Sequence, residues 1–156
     1  MRGKGEYKRK TSPDPKFFSG TLAKFINQVM RCGKKSTAQR VVYGSFEIIK
    51  EKTKKDPLEI FDTALKNIMP VVEVKSRRIG GANYQIPVEV RGDRRLALAR
   101  RWLIGAAREK KGKPMAVKLA DEVIAASQKQ GAAIAKREDM HRMAEANRAF
   151  AHFGRS

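Results

Sequence analysis

Apolar positions recur at helical spacing from Leu22 onward. Leu22, Phe25, Ile26, Val29 and Met30 share one face, and Gly33 is expected just past the end of that helix. Ser36 with Gln39 three residues later predicts a capping box for a second helix, whose core face is Val42, Phe46 and Ile49. Asp56-Pro57-Leu58-Glu59 combines an N-cap Asp with a first-turn Pro and predicts a third helix. Its buried set is Ile60, Phe61, Ala64, Leu65 and Ile68, and Pro70 stops it. The period then falls to two. Val72 and Val74 alternate with Glu73 and Lys75, and Gly80-Gly81 supply a turn. After the turn, Tyr84, Ile86, Val88 and Val90 alternate with Asn83, Gln85, Pro87 and Glu89, which predicts a β-hairpin over residues 71–90. Pro87 cannot donate to a ladder, so its strand is expected at an edge.

Helical spacing returns with Leu96, Ala99, Leu103 and Ala106. Pro114 opens a fifth helix, buried through Met115, Leu119, Val123 and Ile124 and ended by Gly131. A sixth runs from Ala132 to Asn147, with Ile134, Met140, Met143 and Ala144 inside. Five or six helices with one inserted hairpin define a mainly α class, a bundle carrying an extended β-arm. Residues 1–16 have no hydrophobic period and five basic residues by position 10, so a flexible basic arm precedes a single helical domain at 17–156.

Charge narrows the choice of partner. The chain has 35 Lys and Arg against 16 Asp and Glu, a formal net charge of +19. Such an excess repels itself in a compact fold and is relieved by an anionic polymer. No run approaches the roughly 18 apolar residues of a membrane span, and no apolar signal core follows the first charges. The single Cys32 has no partner for an internal disulfide, which points to a reducing, cytosolic compartment.

The positive charge is concentrated. Residues 75–113 hold twelve basic side chains against Glu89, Asp93 and Glu109, or +9 in a quarter of the chain. These are Lys75, Arg77, Arg78, Arg91, Arg94, Arg95, Arg100, Arg101, Arg108, Lys110, Lys111 and Lys113. Arg94, Arg101 and Arg108 are seven apart and share a helical stripe, and arginine suits bidentate phosphate contacts. A solvated helix face usually alternates charge sign for pairing at three or four positions, and such acidic mates are scarce here. Asn83, Tyr84 and Gln85 at the hairpin tip can stack on a base and hydrogen-bond its edge, although Asn and Tyr are also ordinary turn and strand residues. Lys34 and Lys35 either bind a phosphate at the second helix's start or neutralise the carbonyls ending the first. Trp102 is a core or contact residue at this spacing. His141 lacks the additional His or Cys ligands of a structural metal site, and no cofactor loop or nucleophile arrangement is present. No catalysis, cofactor, metal or small-molecule substrate is expected.

Four long motifs, LAKFINQVMRCGKKSTA at 22–38, KSRRIGGANYQIPVEV at 75–90, RRLALARRWL at 94–103 and KREDMHRMAEANRAFAHF at 136–153, strongly resemble the small-subunit ribosomal protein seven family in its bacterial form. The resemblance runs from Asp14 to Phe153. It departs from the family in the opening MRGKGEYKRK, where Glu6 interrupts the charge, and in a short tail. The resemblance implies a six-helix bundle with a β-hairpin arm between the third and fourth helices. It further implies a cytoplasmic, ribosomal, non-enzymatic binder of the 3′ major domain of small-subunit rRNA that nucleates head assembly. Such a protein sits near the decoding centre, the exit-site tRNA and the mRNA exit path, beside small-subunit proteins nine and eleven.

Carried over by position, the rRNA contacts are Arg2, Lys4, Lys8, Arg9 and Lys10 of the arm, Lys34, Lys35, Lys75, Arg77 and Arg78. Arg94, Arg95 and Arg101 complete that set, and Arg91, Arg108, Lys110, Lys111 and Lys113 join the rRNA contacts on the charge pattern above. Gly80, Gly81, Asn83, Tyr84 and Gln85, with Arg142, Asn147 and Arg148, are expected near tRNA and mRNA. Two other classes remain open on the residues alone: a helix-turn-helix DNA binder, with its turn at Gly33, and an RNA-modifying enzyme.

Overall fold

The computed structural model describes residues 11–154. Six α-helices and a hairpin follow in the order α1 (Gly20–Val29), α2 (Lys35–Thr53), α3 (Pro57–Ile68), β1 (Val72–Ile79), β2 (Ala82–Glu89), α4 (Gly92–Glu109), α5 (Met115–Ser127) and α6 (Ala132–Ala146). A 3₁₀ helix over Arg148–Gly154 closes the described chain and has no counterpart in the periodicity. The hairpin lies between α3 and α4, as expected.

The helices bury one core. Leu22, Phe25, Val42, Ile49, Phe61, Leu65, Ile68, Leu103, Leu119 and Val123 are all fully or almost fully buried. Rings link the first three helices. Phe17 meets Phe46 at 5.2 Å, Phe46 meets Phe61 at 5.6 Å, and Phe61 meets Phe25 at 4.9 Å, in tilted or edge-on geometry. Each such Phe contributes roughly 1.5–3 kcal/mol on burial. Trp102 packs half-buried against this core.

The helix-start reading holds best at α3, where the Asp56 carboxylate accepts from the Leu58 N–H at 3.1 Å and Pro57 occupies the first turn. It fails at α2. The chain reverses through Arg31–Lys34, with Lys34 N–H donating to Arg31 C=O at 3.0 Å and Lys35 N–H to Gly33 C=O at 2.8 Å. The helix therefore begins at Lys35, and Ser36 lies inside its first turn instead of capping it. Gly33 belongs to this reversal, while Met30 ends α1.

The hairpin pairs antiparallel from Val72–Glu89 to Ile79–Ala82. Gly80 and Gly81 form a two-residue loop with φ of 55° and 91°, the signature of a type I′ turn. The expected alternation in β1 is inverted. Glu73 is buried, while Val72 and Val74 are only half-buried. Directly opposed pairs share a face, so Glu73 lies with Val88 and Lys75 with Ile86. The carboxylate is tolerated there because Arg94 and Lys75 approach it at 3.2 and 3.3 Å. Met143 is a second correction. It is 42% exposed, because α6 turns Ala133, Ile134 and Ala144 inward and leaves Met143 on the outer side.

Candidate nucleic-acid interface

The basic residues gathered by the sequence separate into structural and surface groups. Arg100 turns inward. Its Nε donates to Gln28 Oε1 at 3.2 Å, and burial pushes its pKa below the ordinary arginine value. Arg94 donates from Nε and Nη2 to Glu73 Oε2 at 3.3 and 3.2 Å, tying α4 to the hairpin. Arg95 donates from Nε to the Val90 carbonyl at 2.8 Å and pairs with Glu89 at 3.7 Å. Lys110 pairs with buried Glu122 at 2.5 Å and Lys113 with Asp121 at 3.5 Å. The acidic mates absent from helical spacing thus come from neighbouring elements, the hairpin and α5.

The rest face outward. Among the described residues, Arg78, Arg91, Arg101, Lys111, Lys34 and Lys35 are exposed and form no ion pair. Arg77 is exposed and donates from Nη1 to the Phe153 carbonyl at 3.4 Å. Arg2, Lys4, Lys8, Arg9 and Lys10 lie outside the described residues.

Lys34 lines a groove of about 410 Å³ with Arg31, Arg108 and Lys118 on its rim and Val29, Met30 and Met115 beneath. No carboxylate lines it. Arg108 Nη2 donates to the Val29 carbonyl at 3.3 Å, so Arg108 serves the end of α1 instead of Lys34 or Lys35. Burial, and then the nearby Arg31, depress the Arg108 pKa. Four cations on one groove with no counter-charge among its lining residues can bind phosphate. Lys118 escaped the sequence reading because only folding brings α5 to this reversal, whereas Arg31, three residues before Lys34 in the same turn, was missed although its neighbourhood was legible in the sequence.

The hairpin is not a lone arm. The Tyr84 ring packs on Phe150 at 5.2 Å and Phe153 at 5.8 Å, so the 3₁₀ helix occupies one side of the arm near its tip. The stacking face expected for a base is partly committed within the chain. Asn83 and Gln85 remain exposed, as do Gly80 and Gly81. At the arm's root, the Val71 N–H donates to His141 Nε2 at 3.2 Å, which requires an imidazole lone pair. Burial, and then Arg137, depress the His141 pKa and favour that neutral form. Arg142 pairs with Asp139 and Arg148 with Glu145, both exposed, while Asn147 Nδ2 donates to the Met143 carbonyl at 2.8 Å. Such exposed pairs are worth little and open readily for a phosphate. Among the described residues, no group of three His, Cys, Asp or Glu can hold a metal ion, and no helix is long and apolar enough to cross a membrane.

A helical body with clustered unpaired cations and a β-arm defines a polyanion-binding protein built on shape and charge. The sequence model of the ribosomal protein S7p/S5e family matches residues 1–148, and the chain belongs to that family. It is 62% identical over 146 residues to the small ribosomal subunit protein uS7 of Teredinibacter turnerae, covering 94% of each chain. It is 59% identical to the uS7 of Thermotoga maritima over 153 residues, 98% of this chain and 99% of that one. It is thus a structural protein of the small ribosomal subunit that acts in translation and is not an enzyme.

Proposed function

We propose that the chain is a primary binder of the 3′ major domain of small-subunit rRNA and nucleates assembly of the subunit head. The groove of Arg31, Lys34, Arg108 and Lys118 carries this reading, because four convergent cations with no carboxylate among them are a charge arrangement that phosphates complement. Capture is electrostatic and fit follows. The bundle holds guanidinium and ammonium groups at fixed spacing, so an RNA junction of matching shape neutralises several at once. The exposed tip, Arg78, Gly80, Gly81, Asn83 and Gln85, reaches toward exit-site tRNA and mRNA, and small-subunit proteins nine and eleven lie alongside. Arg2, Lys4, Lys8, Arg9 and Lys10 of the basic arm add further phosphate contacts.

The test is binding to a 3′ major domain transcript across a salt series, with a shuffled RNA and a duplex DNA as competitors. Arg31→Ala, Lys34→Ala and Arg101→Ala are each expected to reduce the slope of log affinity against log salt by roughly 0.7–0.9. Arg94→Ala is expected to act mainly by loosening the hairpin. Equal, salt-fragile binding to all three nucleic acids would refute the assignment.

A further inference from the structure

Phe18 is 81% exposed, with a backbone φ of 50°. A bulky residue in the left-handed region is unusual, and the surroundings must hold it there. They do. Asp14 is buried, and its carboxylate accepts from the N–H groups of Lys16 and Phe17, both at 3.1 Å, and from the Tyr43 hydroxyl at 2.7 Å. The Asp14 carbonyl takes the Phe18 N–H at 2.8 Å, and the Asp14 N–H donates to the Ser19 carbonyl at 3.3 Å. This turn packs Phe17 inward on Phe46 and points Phe18 to solvent. Nothing among the described residues uses the ring.

Beside the turn lies a groove of about 600 Å³ whose lining includes Lys16, Lys50, Lys54 and Lys55, with Phe17 and Tyr43 as a wall. Two carboxylates also line it: Glu47 pairs with Lys16 at 3.6 Å, and Asp56 caps α3. In the run that supplies this rim, KEKTKKD at 50–56, Lys54 ends α2 with a φ of 55° and Lys52 pairs with Asp121 at 2.6 Å, while the Lys50, Lys54 and Lys55 ammonium groups form no ion pair among the described residues. An exposed ring whose chain neighbour, Phe17, walls a lysine-rimmed groove is the equipment of single-strand nucleic-acid binding. A protein partner would want a contiguous apolar patch of a few hundred Å². The other large exposed apolar side chains, Val71 and Met143, sit at the hairpin root and on α6.

We propose that Phe18 stacks on an unpaired RNA base, with the strand's phosphates running along the groove of Lys16, Lys50, Lys54 and Lys55. This rests on the rRNA-binding reading above and adds a second contact to it. The groove runs along the C-terminal half of α2, from Tyr43 to Lys50, and on to Lys54 and Lys55, while Lys34 lies just before the helix's start. Lys34 and Lys54 flank that 19-residue helix, which is roughly 28 Å long, so one chain grips RNA toward both of its ends.

The test compares Phe18→Ala, Phe18→Gly, Phe18→Leu and Phe18→Tyr in binding to the 3′ major domain transcript, with Tm measured for each. Ala, Gly and Leu are expected to weaken binding, Ala by roughly 5- to 150-fold, while Tyr keeps it. Phe18→Gly relieves the left-handed strain, so its Tm is expected to hold or rise while affinity falls, a split that a structural role would not produce. Unchanged affinity in Phe18→Ala or Phe18→Leu, with wild-type discrimination intact, overturns this inference alone. Loss of discrimination between the transcript and shuffled RNA by the wild type overturns both readings. A photoreactive phenylalanine analogue at position 18 is expected to cross-link to RNA in assembled subunits; cross-linking to a protein instead overturns the stacking.

Discussion

Glu122→Ala is the most informative single perturbation of the fold. Glu122 is fully buried on α5; its Oε1 accepts from the Ala133 N–H at 2.9 Å, and its Oε2 lies 2.5 Å from Lys110 Nζ. α6 has Gly131 at its N-cap and no cap from its own side chains, so this carboxylate from a neighbouring helix does the capping. Removing it leaves one buried N–H unsatisfied, a loss of about 0.5–2 kcal/mol. Breaking a buried ion pair costs about 3–5 kcal/mol when the orphan stays buried. Here Lys110 keeps 37% of its side-chain exposure and can turn to water, so only a fraction of that applies. The total is about 2–3 kcal/mol, which lowers Tm by roughly 4–12 °C in a chain of this size.

Thermal unfolding followed by circular dichroism checks it. Glu122→Gln keeps the volume and an acceptor and is expected to lose about half as much. Gly131→Ala adds a second arm. A Cβ there would lie 2.8 Å from Glu122 Oε1 and 3.1 Å from Ala125 Cβ, at a φ of 97°. In the Glu122→Ala background the first clash vanishes and the backbone strain remains, so the two substitutions are expected to be non-additive by at least about 0.5 kcal/mol. A Tm shift below about 2 °C for Glu122→Ala, or strict additivity, would refute the capping role.

The other predictions concern pH and the arm. The Tyr43 phenol is pushed up to about 12 by burial and then by its hydrogen bond to Asp14. Its folded value exceeds the ordinary 10.0, so its contribution is complete below pH 10 and is lost as pH rises toward 12; Tyr43→Phe is expected to flatten that alkaline fall in Tm. His141 has a folded pKa below the ordinary 6.5, so its contribution is present above that value and is lost as pH falls through the folded one. His141→Gln is expected to flatten the acid slope, checked by melts below pH 6.5. Phe150→Ala with Phe153→Ala removes the rings packed on Tyr84 and is expected to speed tryptic cleavage at Arg77 and Arg78, while Tm of the bundle changes little. Unchanged cleavage would mean that the hairpin needs no support from the 3₁₀ helix.

Most of the fold was legible in the chain because the helices bury wide apolar faces. A stripe such as Ile60, Phe61, Ala64, Leu65 and Ile68 has one arrangement that removes it from water, and the Asp56-Pro57 start fixes where it begins. The misreadings fall where local signals compete with long-range partners. Ser36 and Gln39 had capping spacing, yet the reversal at Arg31–Lys34 set the helix start. Glu73 looked like a solvent residue in an alternating strand, but Arg94 and Lys75 made its burial possible. The 3₁₀ helix at Arg148–Gly154 left no periodic mark because it is short and gains its order from Tyr84.

The site was legible in its sign more than in its members. Composition fixed a polyanion partner and the arginine-rich quarter that carries it, since net charge and local charge density are sums over the chain itself. Which cations are free to meet a phosphate was decided by tertiary structure. Folding withdrew Arg100 into the interior, spent Arg94, Arg95, Lys110 and Lys113 on carboxylates from other elements, and brought Arg108 of α4 and Lys118 of α5 to Arg31 and Lys34 of the α1–α2 reversal on one groove. Electrostatic pairing depends on distance in space, and a linear sequence does not carry that distance beyond a few residues along a helix.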